Sequence, residues 1–273
     1  MSGNHDIKTY YGFQRQPFAS HLPVNQLYSL TSMVDISERC LFTLSNAMVF
    51  VIIGDIGSGK STALRYTISN LSQKHYQVLH IIGGSWSFVE LLRQCMGALG
   101  IYTRTNQQTT MLKQIYEMFS QIRSEGREPV LFIDECDLFQ QNVFSQLHLL
   151  SQQNPNDSRI LPIVLCGQDT LFEKLRNPYA RPLLNRVMNG YNLKSMSQQE
   201  CIGYMIHHLT TIAGGQEGLF SDQALIAVSQ ASGGIPRNIN TICLLALKHG
   251  MDHKLKITTP EIIRLVTKEW WQC

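Results

Sequence analysis

Residues 49–61 read VFVIIGDIGSGKS. Val49 to Ile53 is a run of β-branched and aromatic residues that signals a short buried strand. The next eight residues, Gly54 to Ser61, fill the pattern G-x-x-x-x-G-K-[ST] where a strand should give way to a helix. Each residue type in that pattern has a chemical reason. Gly54, Gly57 and Gly59 let the backbone curl so that its amides face phosphate oxygens with no side chain intruding. The helix that follows adds the positive end of its dipole. Lys60 can reach the β- and γ-phosphates, and the Ser61 hydroxyl can ligate Mg2+. Asp55, Ile56, Ser58 and Thr62 complete the backbone expected to wrap the phosphates. A chance match in a chain this long is on the order of one in a hundred at ordinary glycine frequency.

On both sides of this loop the chain alternates helix-like and strand-like stretches. Apolar spacing predicts a helix over 31–46 and another from about Lys60 to Gln73. Val78 to Ile82 reads as a strand, followed by helices over Phe88 to Leu99 and Met111 to Ile122. A third strand, Val130 to Ile133, is entered through Pro129 and leads to a helix from about Asp137 to Gln153. After the polar loop NPNDS come strands Leu161 to Cys166 and Val187 to Leu193. Near-continuous apolar runs separated by helices imply a parallel sheet covered on both faces, the α/β class.

After Ser195 the strand signal stops. Four helical patterns remain, roughly Gln198 to Thr211, Asp222 to Ser232, Pro236 to His249 and Thr259 to Trp270. The expected organisation is an N-terminal arm over 1–30, an α/β core over 31–195 and a helical lid over 196–273. Turn formers and aromatics (Tyr10, Tyr11, Phe13, Pro17, Phe18) suggest an ordered arm packed on the main domain, with a flexible tail as the alternative.

The chain has 273 residues, 44% hydrophobic and 16% charged, which excludes a disordered class. A net charge of +3 permits an anionic partner without demanding one. Seven scattered cysteines with no CxxC read as buried thiols in a reducing compartment. The longest apolar run, Ala47 to Ile53, is too short to span a bilayer, and no secretory leader opens the chain. A soluble cytoplasmic protein is expected.

Residues 130–137 read VLFIDECD, an apolar strand ending in carboxylates. Asp134 is the candidate to hold the Mg2+ shell, and Glu135 to orient or deprotonate an attacking water. Asp137 reads as the cap of the next helix. The fourth strand ends LCGQD, which makes Gln168 the polar side chain to contact a γ-phosphate or hold the water. In NPYARPLLNRV, Arg181 and Arg186 follow that strand, with Pro178 and Pro182 confining the backbone. An arginine there can act on a neighbouring subunit's phosphoryl transfer. Arg181 is preferred, against a surface arginine in an ordinary ion pair. Arg237, in GGIPRNIN, starts a helix behind Pro236 and can reach back to the nucleotide.

Together these elements, from about Thr31 to Trp270, resemble the AAA+ ATPases. With the opening YYGFQRQPF of residues 10–18, they look like the ExeA-like branch. The resemblance implies an AAA+ P-loop NTPase core, a five-stranded parallel sheet between helices, with a C-terminal helical lid. It implies ATP and Mg2+ bound between subunits of a homo-oligomer, a ring or helical filament. The branch holds two kinds of protein. One is a secretion-associated or cell-envelope assembly ATPase with a membrane segment. The other comprises short soluble chains similar to the transposition regulators TniB, TnsC, MuB and IstB, which assemble on double-stranded DNA and recruit or stimulate a transposase. The second is expected here, with a transposase and a target-selection protein as partners and no membrane. The resemblance further suggests DNA-backbone contacts from the insert after the second strand, carrying Arg93, Thr103, Arg104, Thr105 and Lys113, with a solvated face as the alternative. Lys248, His249, His253, Lys254 and Lys256 form a second basic set, for which solvated charge is the better reading. Trp270 is expected in helix packing, and Trp271 is available to a partner.

Overall fold

The computed structural model describes residues 6–151 and 160–270. The loop NPNDS, Trp271 and Cys273 lie outside the described residues. In chain order the helices are α1 (Ile7–Tyr11), α2 (Thr31–Ser45), α3 (Lys60–Asn70), α4 (Phe88–Ala98), α5 (Gln108–Ser124), α6 (Gln141–Leu147), α7 (Asp169–Arg176), α8 (Arg181–Leu184), α9 (Gln198–His207), α10 (Asp222–Ser232), α11 (Pro236–Asp252) and α12 (Pro260–Trp270). The strands are β1 (Val49–Gly54), β2 (Tyr76–Ile82), β3 (Glu128–Asp134), β4 (Ile163–Gly167) and β5 (Val187–Leu193). The described residues divide into two units: an α/β unit within Thr31–Ile56 and Lys60–Leu193, and a helical unit of those up to Leu30, Gly57–Gly59 and those from Lys194.

In the α/β unit the five strands are parallel in the order β2-β3-β4-β1-β5. The central strands β1, β3 and β4 are buried almost throughout, as their unbroken apolar sequence requires. Edge strand β5 alternates half-buried and exposed residues. Phe50 and Phe132 are fully buried, each contributing roughly 1.5–3 kcal/mol of transfer free energy. Pro129 costs β3 little because it stands at the strand's start.

Among the described residues 137–151, the long helix expected over 137–153 does not form. A short 3-10 turn, Cys136–Leu138, and the seven-residue α6 take its place. The reason is tertiary. Phe139 is extended and buried, and the Lys174 ammonium donates to the carbonyls of Asp137 and Phe139, both at 2.6 Å. Helices α7 and α8 carry no long apolar period; only Leu171 and Leu175 of α7, and Leu183 of α8, are buried.

The helical unit is built on Met205, Val228, Ile239, Ile242, Cys243 and Ile263 from α9 to α12, and on Phe13 and Phe18 of the arm. The Tyr11 hydroxyl donates to the Leu247 carbonyl at 3.1 Å, and the Gln14 N–H to Ala213 O at 2.7 Å. The Phe18 N–H donates to His208 Nδ1 at 3.2 Å, and the two rings stack with centroids 5.2 Å apart. A Cβ at Gly215 would sit 2.5 Å from the Phe13 ring, and one at Gly250 2.3 Å from the Tyr11 hydroxyl oxygen. The arm is ordered, and its aromatics fill the core of the helical unit. Trp270 packs against this same cluster. Six cysteines are described, all free and buried. Among the described residues, no helix is long and apolar enough to cross a membrane.

Candidate active site

β1 is bonded to β4, which is bonded to β3, so three strand ends lie side by side. The register sets Ile53 opposite Gly167 and Ile133 opposite Leu165. The phosphate-type loop, Gln168 and Asp134 therefore leave adjacent strands at the same edge of the sheet. This is the edge where open α/β sheets bind ligands.

The loop from Gly54 turns on Gly57 (φ +79°) and Gly59 (φ +100°), left-handed conformations that a side chain would strain. α3 begins at Lys60, so the unpaired amides of its first turn open onto the loop. The Lys60 ammonium donates to the carbonyls of Gly54 and Asp55, each at 2.8 Å. Ser58 is buried, and its hydroxyl has no partner among the described residues. An orphaned buried hydroxyl beside open helix amides and a lysine fits a polyanionic ligand. Asp55, Ile56 and Ser61 are exposed, and Thr62 is half-buried in α3.

At the end of β3, Asp134 is buried, and its carboxylate accepts the Glu135 N–H at 2.8 Å. Glu135 is exposed and held at φ +49°, in the left-handed region that non-glycine residues rarely adopt. Burial, reinforced by the Asp134 charge, raises the Cys166 thiol pKa well above its ordinary value, with Lys60 opposing. Asp134, Cys166 and Lys60 thus share one electrostatic neighbourhood. Burial also lowers the His80 pKa, against the Asp134 charge. Among the described residues no three or more His, Cys, Asp or Glu gather as a metal cage. A Mg2+ held by Asp134 and Ser61 would complete its shell with nucleotide oxygens and water, the usual arrangement for that ion.

Asp137 is not a helix cap. α6 starts behind Gln140, with no side-chain cap, and the buried Asp137 carboxylate accepts the Gln168 N–H at 3.1 Å and the Gln168 side-chain amide at 3.0 Å. It fixes the candidate sensor side chain across two strand ends. Sequence reasoning missed this because the partners lie 31 positions apart.

The two arginines separate. Arg186 is half-buried and donates to the carbonyls of His148 (3.3 Å) and Ser151 and to the Ser151 hydroxyl, so it ties the turn after α6 to β5. Those bonds hold its guanidinium against its own chain. Arg181 is exposed on the first residue of α8 and makes no side-chain bond among the described residues. In the helical unit, Arg237 is exposed near the start of α11, and its N–H lies 3.4 Å from the Gly57 carbonyl.

Of the insert residues, Arg93 donates to the Asn106 side chain, and Thr103 and Thr105 accept the N–H groups of Thr105 (3.3 Å) and Gln107 (3.1 Å). Arg104 is exposed, and Lys113 is exposed 3.9 Å from Glu117. In the C-terminal basic set, the Lys256 ammonium donates to Tyr10 O at 3.0 Å and stands over its ring, and His249 stacks on His253. Lys256 is thereby spent on holding the arm.

Residues 43–175 match the AAA domain family. The chain is 27% identical over 240 residues to general secretion pathway protein A of Aeromonas hydrophila, covering 87% of this chain and 44% of that protein. It thus spans less than half the length of that relative. The fold superposes on Cdc6p from Pyrobaculum aerophilum with a TM-score of 0.72, at 16% identity over 92% of this chain and 70% of that one. It also superposes on Drosophila ORC bound to DNA with a TM-score of 0.60, at 15% identity over 95% of this chain and 71% of that one. The fold, five parallel strands flanked by helices with the glycine loop after β1, is the P-loop NTPase arrangement of these structures.

Proposed function

We propose that the protein is a Mg2+-dependent ATPase that oligomerises on duplex DNA and regulates transposition, recruiting or activating a transposase and helping to select target DNA. The observation that carries the ATPase reading is the gathering of the glycine loop, Asp134 and Gln168 on three neighbouring strand ends. Bound MgATP supplies the transferable γ-phosphoryl group. The loop amides and Lys60 hold its phosphates, while Ser61 and Asp134 hold the metal. Glu135 takes the proton of the attacking water, and Gln168, fixed by Asp137, orients the reacting end. Arg181 from one subunit neutralises charge at its neighbour's site, and Arg237 reports the phosphate count to the helical unit. Hydrolysis then releases DNA, acting as a timer. The DNA part is supported by the acid-free cationic stretch described below and by the likeness to an ORC structure bound to DNA.

A second reading, a secretion or envelope-assembly ATPase, is favoured by the match to general secretion pathway protein A. The two are separated by ATPase rate with and without duplex DNA, with negative-stain images of the same samples. DNA stimulation with ATP-dependent rings or filaments supports the first. No stimulation and no assembly at low salt defeats it and favours the second.

A further inference from the structure

From Leu91 to Tyr116 the sequence contains no acidic residue, and this stretch carries Arg93, Arg104 and Lys113. It folds as α4 after its first turn, which carries Glu90, then a loop and the first half of α5. In that loop Tyr102 is 97% exposed, more than any other large hydrophobic side chain among the described residues. The loop is tied on both sides of it. The Ile101 N–H donates to Met96 O at 2.8 Å and its side chain packs on the core, while Arg93 reaches across to Asn106. Tyr102 and Arg104 are thus presented from a braced frame. A protein-docking patch centres on clustered apolar side chains. Here the neighbours of Tyr102 along the loop are Thr103, Arg104, Thr105, Asn106 and Gln107, and the apolar Ile101 faces inward. One exposed aromatic ring among hydroxyls, amides and cations matches what a nucleobase and its phosphates require.

We propose that Tyr102 contacts a base: its ring stacks on a nucleobase at an opened step of duplex DNA, while Arg104 holds the adjacent phosphate. The proposal rests on the DNA-binding reading above and adds to its backbone contacts a preference for DNA whose stack opens easily. In this arrangement Arg93 braces the loop and is a positioning residue.

The test is equilibrium binding of the full chain, with ATP, to two labelled duplexes of equal length, one fully paired and one with a central mismatch. The wild type should prefer the mismatched duplex by about tenfold, within the range of one base–aromatic stack. Tyr102→Ala should lose that preference, and Tyr102→Phe should retain it. Arg104→Ala should weaken both duplexes alike and reduce the salt slope by about one. A preference that survives Tyr102→Ala, or is absent from the wild type, overturns the proposal and leaves DNA binding standing. If Tyr102→Ala spares DNA binding but breaks the oligomer apart, the ring belongs to a protein interface and the proposal also fails. No binding of either duplex by the wild type at low salt overturns the DNA-binding reading, and this proposal with it.

Discussion

Replacing Asp137 by alanine separates a latch on Gln168 from a helix cap. A lost cap costs about 1 kcal/mol. The structure instead shows a buried carboxylate accepting two bonds from Gln168, at 3.1 and 3.0 Å. A hydrogen bond to a charged group contributes about 1.5–3 kcal/mol, and the alanine leaves both donors without this acceptor. Part of that loss is returned, because Gln168 is only half-buried and its amide can turn to water. The expected cost is about 3 kcal/mol, read as a lower urea midpoint at unchanged slope. Gln168 also loses its fixed position, so ATP turnover should fall about 10- to 100-fold with KM held, the effect of misplacing an orienting group. Asp137→Asn keeps one acceptor and should recover much of both losses. A loss of 1 kcal/mol or less in Asp137→Ala, with wild-type turnover, would refute the latch.

Arg186→Ala should cost about 2 kcal/mol in urea unfolding, because it strips bonds from the buried Ser151, whereas Arg181→Ala should leave stability within about 0.5 kcal/mol. Arg181→Ala should also abolish turnover, and mixing it with Lys60→Ala protein should restore some; an inactive mixture would count against a role in trans. Burial, with the neighbouring His207, lowers His208 from 6.5 to about 4, so the unfolded chain binds more protons between those values. Stability should therefore rise with pH across that window and be lost as pH falls through it, by up to about 3 kcal/mol. His208→Gln should flatten the slope between pH 5 and 7, and an unchanged slope would refute the assignment. At Gly83 a Cβ would lie 2.5 Å from Glu135 O and 2.9 Å from Asp134 O, backbone atoms that no rotamer can move. Gly83→Ala should cost about 2 kcal/mol and most of the turnover, measured by urea unfolding and a phosphate-release assay.

Three kinds of local signal were legible in the chain: unbroken apolar runs, the glycine loop and acids at a strand end. Val187–Leu193 and Asp222–Ser232 lie where the pattern of apolar residues sets them, because a strand or helix face must repeat its apolar side chains locally. The glycine loop was equally legible, since its backbone shape and chemistry are both written in contiguous residues.

What the tertiary structure decided involves pairs of residues far apart in the chain. Nothing near Asp137 distinguishes a helix cap from a partner for Gln168, and the choice follows only once β3 and β4 lie side by side. Arg181 and Arg186 look alike in sequence, yet only the second meets the turn at Ser151. The arm's aromatics announce a packed segment, but not which core they enter. Phe18 found His208, 190 positions away, because a buried N–H needs an acceptor wherever the fold supplies one.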